Sequence, residues 1–375
     1  MKVAIVHYWF ISRRGGEKVI ESILKLFPDA DIYTLFYDEK TYGDHLKNQK
    51  VFTSAFDNIF FRKHYQKIFP LYPLAIKSLK LKDNYDLIIS SESGPAKGIN
   101  NPNKIPHISY VHSPMRYCWS HRESYLASVP KLVRPFMNIF LERLKKWDAS
   151  TIDNVDFYLS NSKNVSKRIQ KYYQRNSEVV YPPIADDLFS KNTSFNKKRD
   201  QYLSFGAITP YKKIDLLVET FNENGKKLVI IGNGSERKKL EEIAKSNITF
   251  KTIDNWQLVE EEVFRSKALL FPGEEDFGMI PLEMMAYGLP VIAFKKGGAL
   301  ETVVENRKEI EQSSGLFFKE QTIASLEKTL LFFEENKEKF NPFWIKKHAK
   351  GFSEQQFLVN FEKKIETFLN RTLEK

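Results

Sequence analysis

Two glutamates, Glu275 and Glu283, flank the run Asp276-Phe277-Gly278-Met279-Ile280-Pro281-Leu282. A glycine followed by a proline predicts a loop that hands over to a helix, with Pro281 as the first helical residue. The N–H groups at such a helix start have no partner within the helix, and with the helix dipole they favour a diphosphate. Glu275 in the loop and Glu283 one turn into the helix are both able to accept hydrogen bonds from vicinal hydroxyls. The segment therefore suits a ligand carrying phosphate beside a polyhydroxylated group. Glutamates near a helix start are common for electrostatic reasons alone, so the specificity lies in their combination with Phe277-Gly278 and Pro281-Leu282.

Three further clusters have the residue types such chemistry needs. In Ser204-Phe205-Gly206-Ala207-Ile208-Thr209-Pro210-Tyr211-Lys212-Lys213 a strand ends at a glycine turn, and two lysines precede a helix. A lysine there sets a compact positive charge against a departing diphosphate, or else is a solvated surface residue. At the start of the chain, Val3–Tyr8 reads as a strand followed by Ile11-Ser12-Arg13-Arg14-Gly15-Gly16-Glu17, where the glycines let backbone approach a phosphate. In Ser109-Tyr110-Val111-His112-Ser113-Pro114-Met115-Arg116, His112 closes a central strand and is either structural or part of a site; Arg116 is a phosphate contact of donor or acceptor. Asp29-Ala30-Asp31 reads as a turn rather than a metal centre, so no metal site is expected. Gly232-Asn233-Gly234-Ser235 lacks a phosphate-loop lysine and reads as a turn.

The elements that must position these residues alternate along the chain, as in a parallel sheet wrapped by helices. Expected strands are Val3–Tyr8, Asp31–Leu35, Leu87–Ser90, His107–Val111 and Phe157–Ser160, with helices at Gly16–Phe27, Lys131–Asp148 and Lys163–Tyr173. Val179-Val180 closes this half before Pro182-Pro183, and Ser190–Gln201 reads as a linker. The rhythm restarts with strands at Tyr202–Ile208, Lys227–Ile231, Ile248–Thr252, Ala268–Phe271 and Pro290–Phe294. The helices between and after them are Ile214–Glu223, Ser235–Lys245, Leu258–Arg265, Pro281–Tyr287 and Gln321–Asn336. The fold class is α/β, with two facing doubly wound parallel-sheet domains and a ligand cleft between them.

The 375 residues suffice for two domains, and one cysteine excludes an intramolecular disulfide. No apolar run approaches the ~18–20 residues of a membrane span. The start of the chain reads as a strand rather than a signal peptide, so a cytoplasmic protein is expected. The net charge of +11 is unevenly spread: residues 1–180 hold 28 Lys/Arg against 17 Asp/Glu, and the remainder are balanced. Such asymmetry fits a polyanionic partner or a solvated basic surface. Within it, Arg62–Lys82 has six basic residues, no acidic one except for Asp83 just beyond it, and interleaved Tyr65, Ile68, Phe69, Leu71 and Tyr72. This pattern fits either an anionic membrane interface or an ordinary amphipathic surface helix.

The Glu275–Glu283 segment, together with Gly288-Leu289-Pro290 and Gly297-Gly298, resembles the signature of glycosyltransferase family 4, whose members are retaining enzymes of the GT-B fold. The resemblance implies that Glu275 contacts hydroxyls of the donor sugar and Glu283 the nucleotide ribose, with Phe277, Gly278, Met279 and Ile280 between them at the donor. It gives Lys213, beside Lys212, the task of stabilising the leaving diphosphate. It puts Gly15 and Gly16 at the donor phosphate and His112 near the reacting carbon. Arg13, Arg14 and Arg116 then fall to the acceptor. Many members carry an arginine where this chain has Ala207, so Lys212 or Arg116 is expected to substitute. The implied domains are an acceptor-binding 1–180, with a C-terminal helix 351–373 crossing back, and a donor-binding 185–345. Ser91-Glu92-Ser93-Gly94-Pro95-Ala96-Lys97-Gly98 and the His112 block resemble the bacterial O-antigen mannosyltransferase branch. That branch implies GDP-mannose as donor, no metal or other cofactor, a lipid-linked glycan acceptor, and a peripheral place on the cytoplasmic face of the inner membrane. Two rival readings are a GT-B-shaped sugar-nucleotide epimerase and a basic nucleic-acid-binding protein. The first lacks a reason for the glutamate pair and its loop; the second finds no recognisable nucleic-acid module.

Overall fold

The computed structural model describes residues 1–65, 67–82, 84–120, 122–127, 129–190, 199–253 and 255–373. The chain divides into two compact units, Met1–Pro183 with Phe357–Lys375, and Ile184–Gln356. Most of the expected linker, residues 191–198, lies outside the described residues.

The first unit is built on a seven-stranded sheet: β1 (Val3–Phe10), β2 (Asp31–Tyr37), β3 (Val51–Thr53), β4 (Leu87–Glu92), β5 (His107–Val111), β6 (Phe157–Ser160) and β7 (Glu178–Val179). The spatial order is β3-β2-β1-β4-β5-β6-β7, and the paired strands run parallel. The central strands are covered on both faces, which is why the first halves of β1 and β4 read as unbroken apolar runs. The helix Gly15–Leu26 turns Val19, Ile20, Ile23 and Leu24 inward at helical spacing and opens with Glu17 and closes with Lys25, as the helix dipole favours. The C-terminal helix Glu354–Leu373 brings Phe357, Phe361, Ile365 and Phe368 into the same core as Ile5, Ile89 and Tyr110.

The second unit repeats the plan with six strands: β8 (Gln201–Phe205), β9 (Leu228–Ile231), β10 (Ile248–Lys251), β11 (Ser266–Phe271), β12 (Val291–Phe294) and β13 (Gly315–Phe318). Their order is β10-β9-β8-β11-β12-β13. In each sheet the strand order reverses once, between β1 and β4 in the first and between β8 and β11 in the second. Open parallel sheets bind ligands beyond the carboxyl ends of the strands at such a reversal. Two parallel doubly wound sheets flanked by helices make this a GT-B fold.

Several local expectations are corrected. The helix after Gly278 begins at Met279, so Pro281 is its third residue rather than its first. A proline fits there equally well, because the first-turn N–H groups have no helical acceptor. Strands β3 and β13 were not expected from the sequence; each is short. Arg62–Lys82 is not one amphipathic helix: the short helix Ile59–Lys63, the 3-10 turn Phe69–Leu71 and the helix Tyr72–Ser78 divide it. Phe69 and Tyr72 are 3 % and 2 % exposed, and Tyr65 and Ile68 pack against the same cluster, so four of the five apolar residues expected to enter a membrane, all but the half-buried Leu71, pack in or on the core instead.

Candidate functional site

In the second unit, the loops that leave β8 and β11 are held together by backbone and by charge. Pro210–Lys212 forms a single 3-10 turn, and Lys213 adopts the left-handed conformation, φ 56° and ψ 38°, before the helix Ile214–Asn224. For a residue with a β-carbon this conformation costs roughly 1–2 kcal/mol, so the surroundings hold it in place. Gly273, just beyond β11, lies against this turn, and a β-carbon there would stand 2.9 Å from Cα of Lys212. The Lys212 ammonium forms an ion pair with the Glu275 carboxylate. Lys213 points elsewhere, with its Nζ 3.8 Å from Oδ2 of Asp215. Both of those side chains are more than two-fifths exposed, so that pair contributes little and the Lys213 charge stays accessible to a ligand.

The glutamate loop continues from there. The N–H of Gly298 donates to the Glu275 carbonyl at 2.8 Å, which ties the loop to the turn after β12. Gly278 has φ 85°, and this left-handed bend is what turns the loop into the helix Met279–Met285. Glu283 is buried in that helix, whereas Glu275, Met279 and Ile280 are half-buried. Phe277 differs from expectation: it is 2 % exposed and its ring faces Phe352 at 6.0 Å, so its side chain is core packing. Ala207 is exposed, and Lys212, one of its two expected substitutes, is engaged with Glu275.

In the first unit the reversal between β1 and β4 places His7 opposite Ser91 in register. Oγ of Ser91 lies 2.9 Å from Nδ1 of His7 and 2.8 Å from Nε2 of His112, which follows β5. His7 is buried, and its Nε2 faces Oε1 of the buried Glu17 at 3.8 Å. A serine hydroxyl has one proton, so it donates to one ring and accepts from the other. Glu17 also accepts from the backbone N–H of Arg14 at 3.1 Å, which fixes the start of the helix.

Gly15 and Gly16 form the first turn of that helix. A β-carbon on Gly16 would stand 2.5 Å from the Tyr8 hydroxyl and 3.6 Å from Cε1 of His7, so the glycine admits close packing beside the histidines. Burial, with the Glu17 charge adding to it, pushes the Tyr8 hydroxyl well above its usual range and keeps it neutral. Arg14 is exposed at the mouth of this turn. Arg13, whose side chain is 48 % exposed, is bound through Nε and Nη2 to Glu21 at 2.8 and 2.7 Å. Arg116 is half-buried in the turn that follows Met115.

Beneath this cluster sits a buried ionic triad that sequence reasoning missed. Lys97 pairs with Asp148, which also accepts from Nε1 of Trp119 at 2.7 Å, and Nζ of Lys97 is 3.9 Å from Oε1 of Glu92. One ammonium cannot neutralise two buried carboxylates. Burial therefore pushes Glu92 up to about 7, with Asp148 adding to the rise and Lys97 opposing it. The available signal was Ser90-Ser91-Glu92, a polar run ending an otherwise apolar central strand. Among the described residues no group of three or more His, Cys, Asp and Glu is arranged to hold a metal ion.

Comparisons with known proteins bear on the family and the fold. Residues 13–188 match the model of Glycosyltransferase Family 4, and residues 186–350 that of glycosyl transferases group 1. The alpha-1,3/1,6-mannosyltransferase ALG2 of Saccharomyces cerevisiae is 27 % identical over 248 residues, covering 52 % of this chain and 49 % of that protein. Its counterpart in Candida glabrata is 22 % identical over 323 residues, covering 72 % and 70 %. This chain thus spans about half the length of the first of these relatives. Among solved structures, Anabaena HepE in complex with UDP superposes with a TM-score of 0.71 at 15 % identity, over 98 % of this chain and 100 % of that one. Staphylococcus aureus TarM in complex with UDP gives 0.67 at 13 %, over 98 % and 100 %.

Proposed function

We propose that the chain, which belongs to glycosyltransferase family 4, is a hexosyltransferase that transfers mannose from GDP-mannose to a lipid-linked glycan with retention at the anomeric carbon. The observation that carries this reading is the pairing of Lys212 with Glu275 across the reversal of the second sheet. It brings a carboxylate and the start of the Met279–Met285 helix to the reversal of the sheet, beyond which open parallel sheets bind ligands.

In this reading Glu275 accepts hydrogen bonds from donor hydroxyls and Glu283 from the ribose, while the Lys213 ammonium meets the diphosphate. The bond from the anomeric carbon to the phosphate oxygen breaks, and the acceptor hydroxyl bonds to that carbon on the same face. Its proton passes to the leaving phosphate oxygen, so no separate general base is needed. Charge develops on the phosphate and on an oxocarbenium-like ring; stabilising both is the catalytic task. His112, oriented by Ser91, is assigned to the neighbourhood of the reacting carbon, Gly15 and Gly16 to the donor phosphate, and Arg14 and Arg116 to the acceptor. The mechanism takes no metal or other cofactor. The mannose assignment draws on the similarity to the ALG2 proteins. The HepE structures carry UDP and UDP-glucose, which makes UDP-glucose the competing donor.

A lipid-linked acceptor also implies work at a membrane surface, on its cytoplasmic side. The basic first unit supports such a place, and among the described residues no helix is long and apolar enough to cross a bilayer. The test is to incubate the protein with GDP-mannose or UDP-glucose and follow hydrolysis and thermal stabilisation. Turnover of GDP-mannose in preference to UDP-glucose supports the assignment, and the reverse preference reassigns the donor.

A further inference from the structure

The helix Arg134–Ser150 has two apolar faces, and the protein covers one of them. Leu141, Leu144 and Asp148 point inward, the aspartate onto Lys97 and Trp119, and Met137 packs on the same core. On the other side Leu132, Phe136, Ile139 and Phe140 are 89 %, 67 %, 52 % and 46 % exposed, with Val133 beside them at 43 %. Their spacing of three and four residues makes one continuous stripe that runs out of the preceding turn and along the helix. The stripe continues at the same spacing into exposed Arg143 and Lys146, and exposed Lys131 precedes it. The one carboxylate on this part of the helix outside the core, Glu142, is paired with Arg122.

Five large apolar side chains in one exposed stripe are far more than a soluble surface carries by chance. The choice of occupant follows from charge and area. A second copy packed symmetrically along the stripe would set the cations of one end, Arg143 and Lys146, against Lys131 at the other end of its partner, and these repel. Five side chains also fall short of the roughly 1,200–2,000 Å² that a stable protein interface buries. A bilayer with anionic headgroups has neither problem: apolar side chains enter the acyl boundary while the cations at both ends of the stripe meet phosphates.

We propose that the exposed face of the Arg134–Ser150 helix is the membrane-docking surface of this enzyme, with anionic phospholipid as its partner. The proposal rests on the reading of the acceptor as lipid-linked and locates the contact on this helix rather than on Arg62–Lys82, whose aromatic residues are core.

The test is co-sedimentation of the full-length protein with vesicles of equal parts phosphatidylglycerol and phosphatidylcholine, and with vesicles of phosphatidylcholine alone. Wild type should bind the anionic vesicles, and less as salt rises. The double variant Phe136→Ser with Phe140→Ser should bind at least about tenfold more weakly, because attachment scales with buried apolar area. Its melting temperature and donor hydrolysis should match wild type, since both side chains are exposed. The pair Arg143→Gln with Lys146→Gln should lose the salt-dependent part of binding. Undiminished binding by the double serine variant overturns the assignment of this helix, as does loss of binding on changing Lys77 and Lys80 to Gln with the helix intact. Wild type that binds neither vesicle overturns the membrane reading itself. A wild-type dimer that the serine variant abolishes, with vesicle binding unchanged, makes a second copy the occupant and also overturns the proposal.

Discussion

Ser91 holds His112: its hydroxyl oxygen lies 2.8 Å from Nε2 of the histidine, and on its other side it reaches the buried His7 at 2.9 Å. Ser91 lies near the end of β4, His112 just after β5 and His7 within β1, so the sheet itself sets their spacing. Replacing Ser91 with Ala removes this hydrogen bond from the imidazole. The kcat should fall on the order of 10–100-fold, the usual result of misplacing a group at the reacting centre, with donor KM nearly unchanged. A Ser91→Ala enzyme with the kcat and pH profile of wild type would show that His112 is positioned by other means.

The two lysines before the helix Ile214–Asn224 should separate in kinetics. Lys213→Ala removes the charge assigned to the leaving diphosphate and should cost roughly 2–4 kcal/mol of transition-state stabilisation. Lys212→Ala instead frees the Glu275 carboxylate from its partner, so its main effect should be a raised KM for the donor. Steady-state kinetics on both variants checks this. A loss below tenfold in kcat/KM for Lys213→Ala would assign the diphosphate to another cation.

Chelation offers an independent check on the leaving group. If lysine and a helix start take the place of a divalent cation, activity should survive EDTA at full rate. Complete loss, restored by magnesium or manganese, rejects the metal-independent route.

Glu92 should make stability depend on pH. In the folded protein burial holds its proton up to about 7, whereas the exposed carboxyl of the unfolded chain releases it near its ordinary 4.5. The folded state binds more protons between these values, so this contribution is fully present below about 4.5 and is lost as pH rises towards 7. A shift of that size corresponds to on the order of 3 kcal/mol. His107, which burial depresses from 6.5 to about 4, works in the opposite direction over nearly the same range, and both variants share it. The difference between wild type and Glu92→Gln therefore isolates the carboxyl: the variant's advantage in urea unfolding should grow from pH 5 to about pH 7 and then level off. A constant difference would mean that Glu92 is ionised throughout.

Much of this was legible in the sequence because it is local. The central strands are buried on both faces and read as apolar runs, and the Gly278 bend and the lysines before Ile214 are signalled within a few residues. Features that depend on register were not. Nothing near His7 indicates that β1 and β4 pair so as to set it beside Ser91. The Lys212–Glu275 and Lys97–Asp148 pairs join residues far apart in the chain and exist only once the strands are ordered. Phe277 shows a related limit, since its motif position says where the backbone goes and not which way the ring points. The basic aromatic segment 62–82 misled for the same reason: its composition suits an interface, but its aromatic rings fill the core, and the exposed apolar stripe lies on another helix.

The central claim is that Glu275 holds the donor sugar of a hexosyltransferase. Its most direct test is the single-turnover rate with nucleotide sugar for wild type and Glu275→Gln, each shown to be folded by its melting curve. The glutamine keeps the size and loses the charge-assisted hydrogen bonds, so the rate should fall at least about a hundredfold at saturating donor. A folded Glu275→Gln protein that turns over at the wild-type rate would contradict the account.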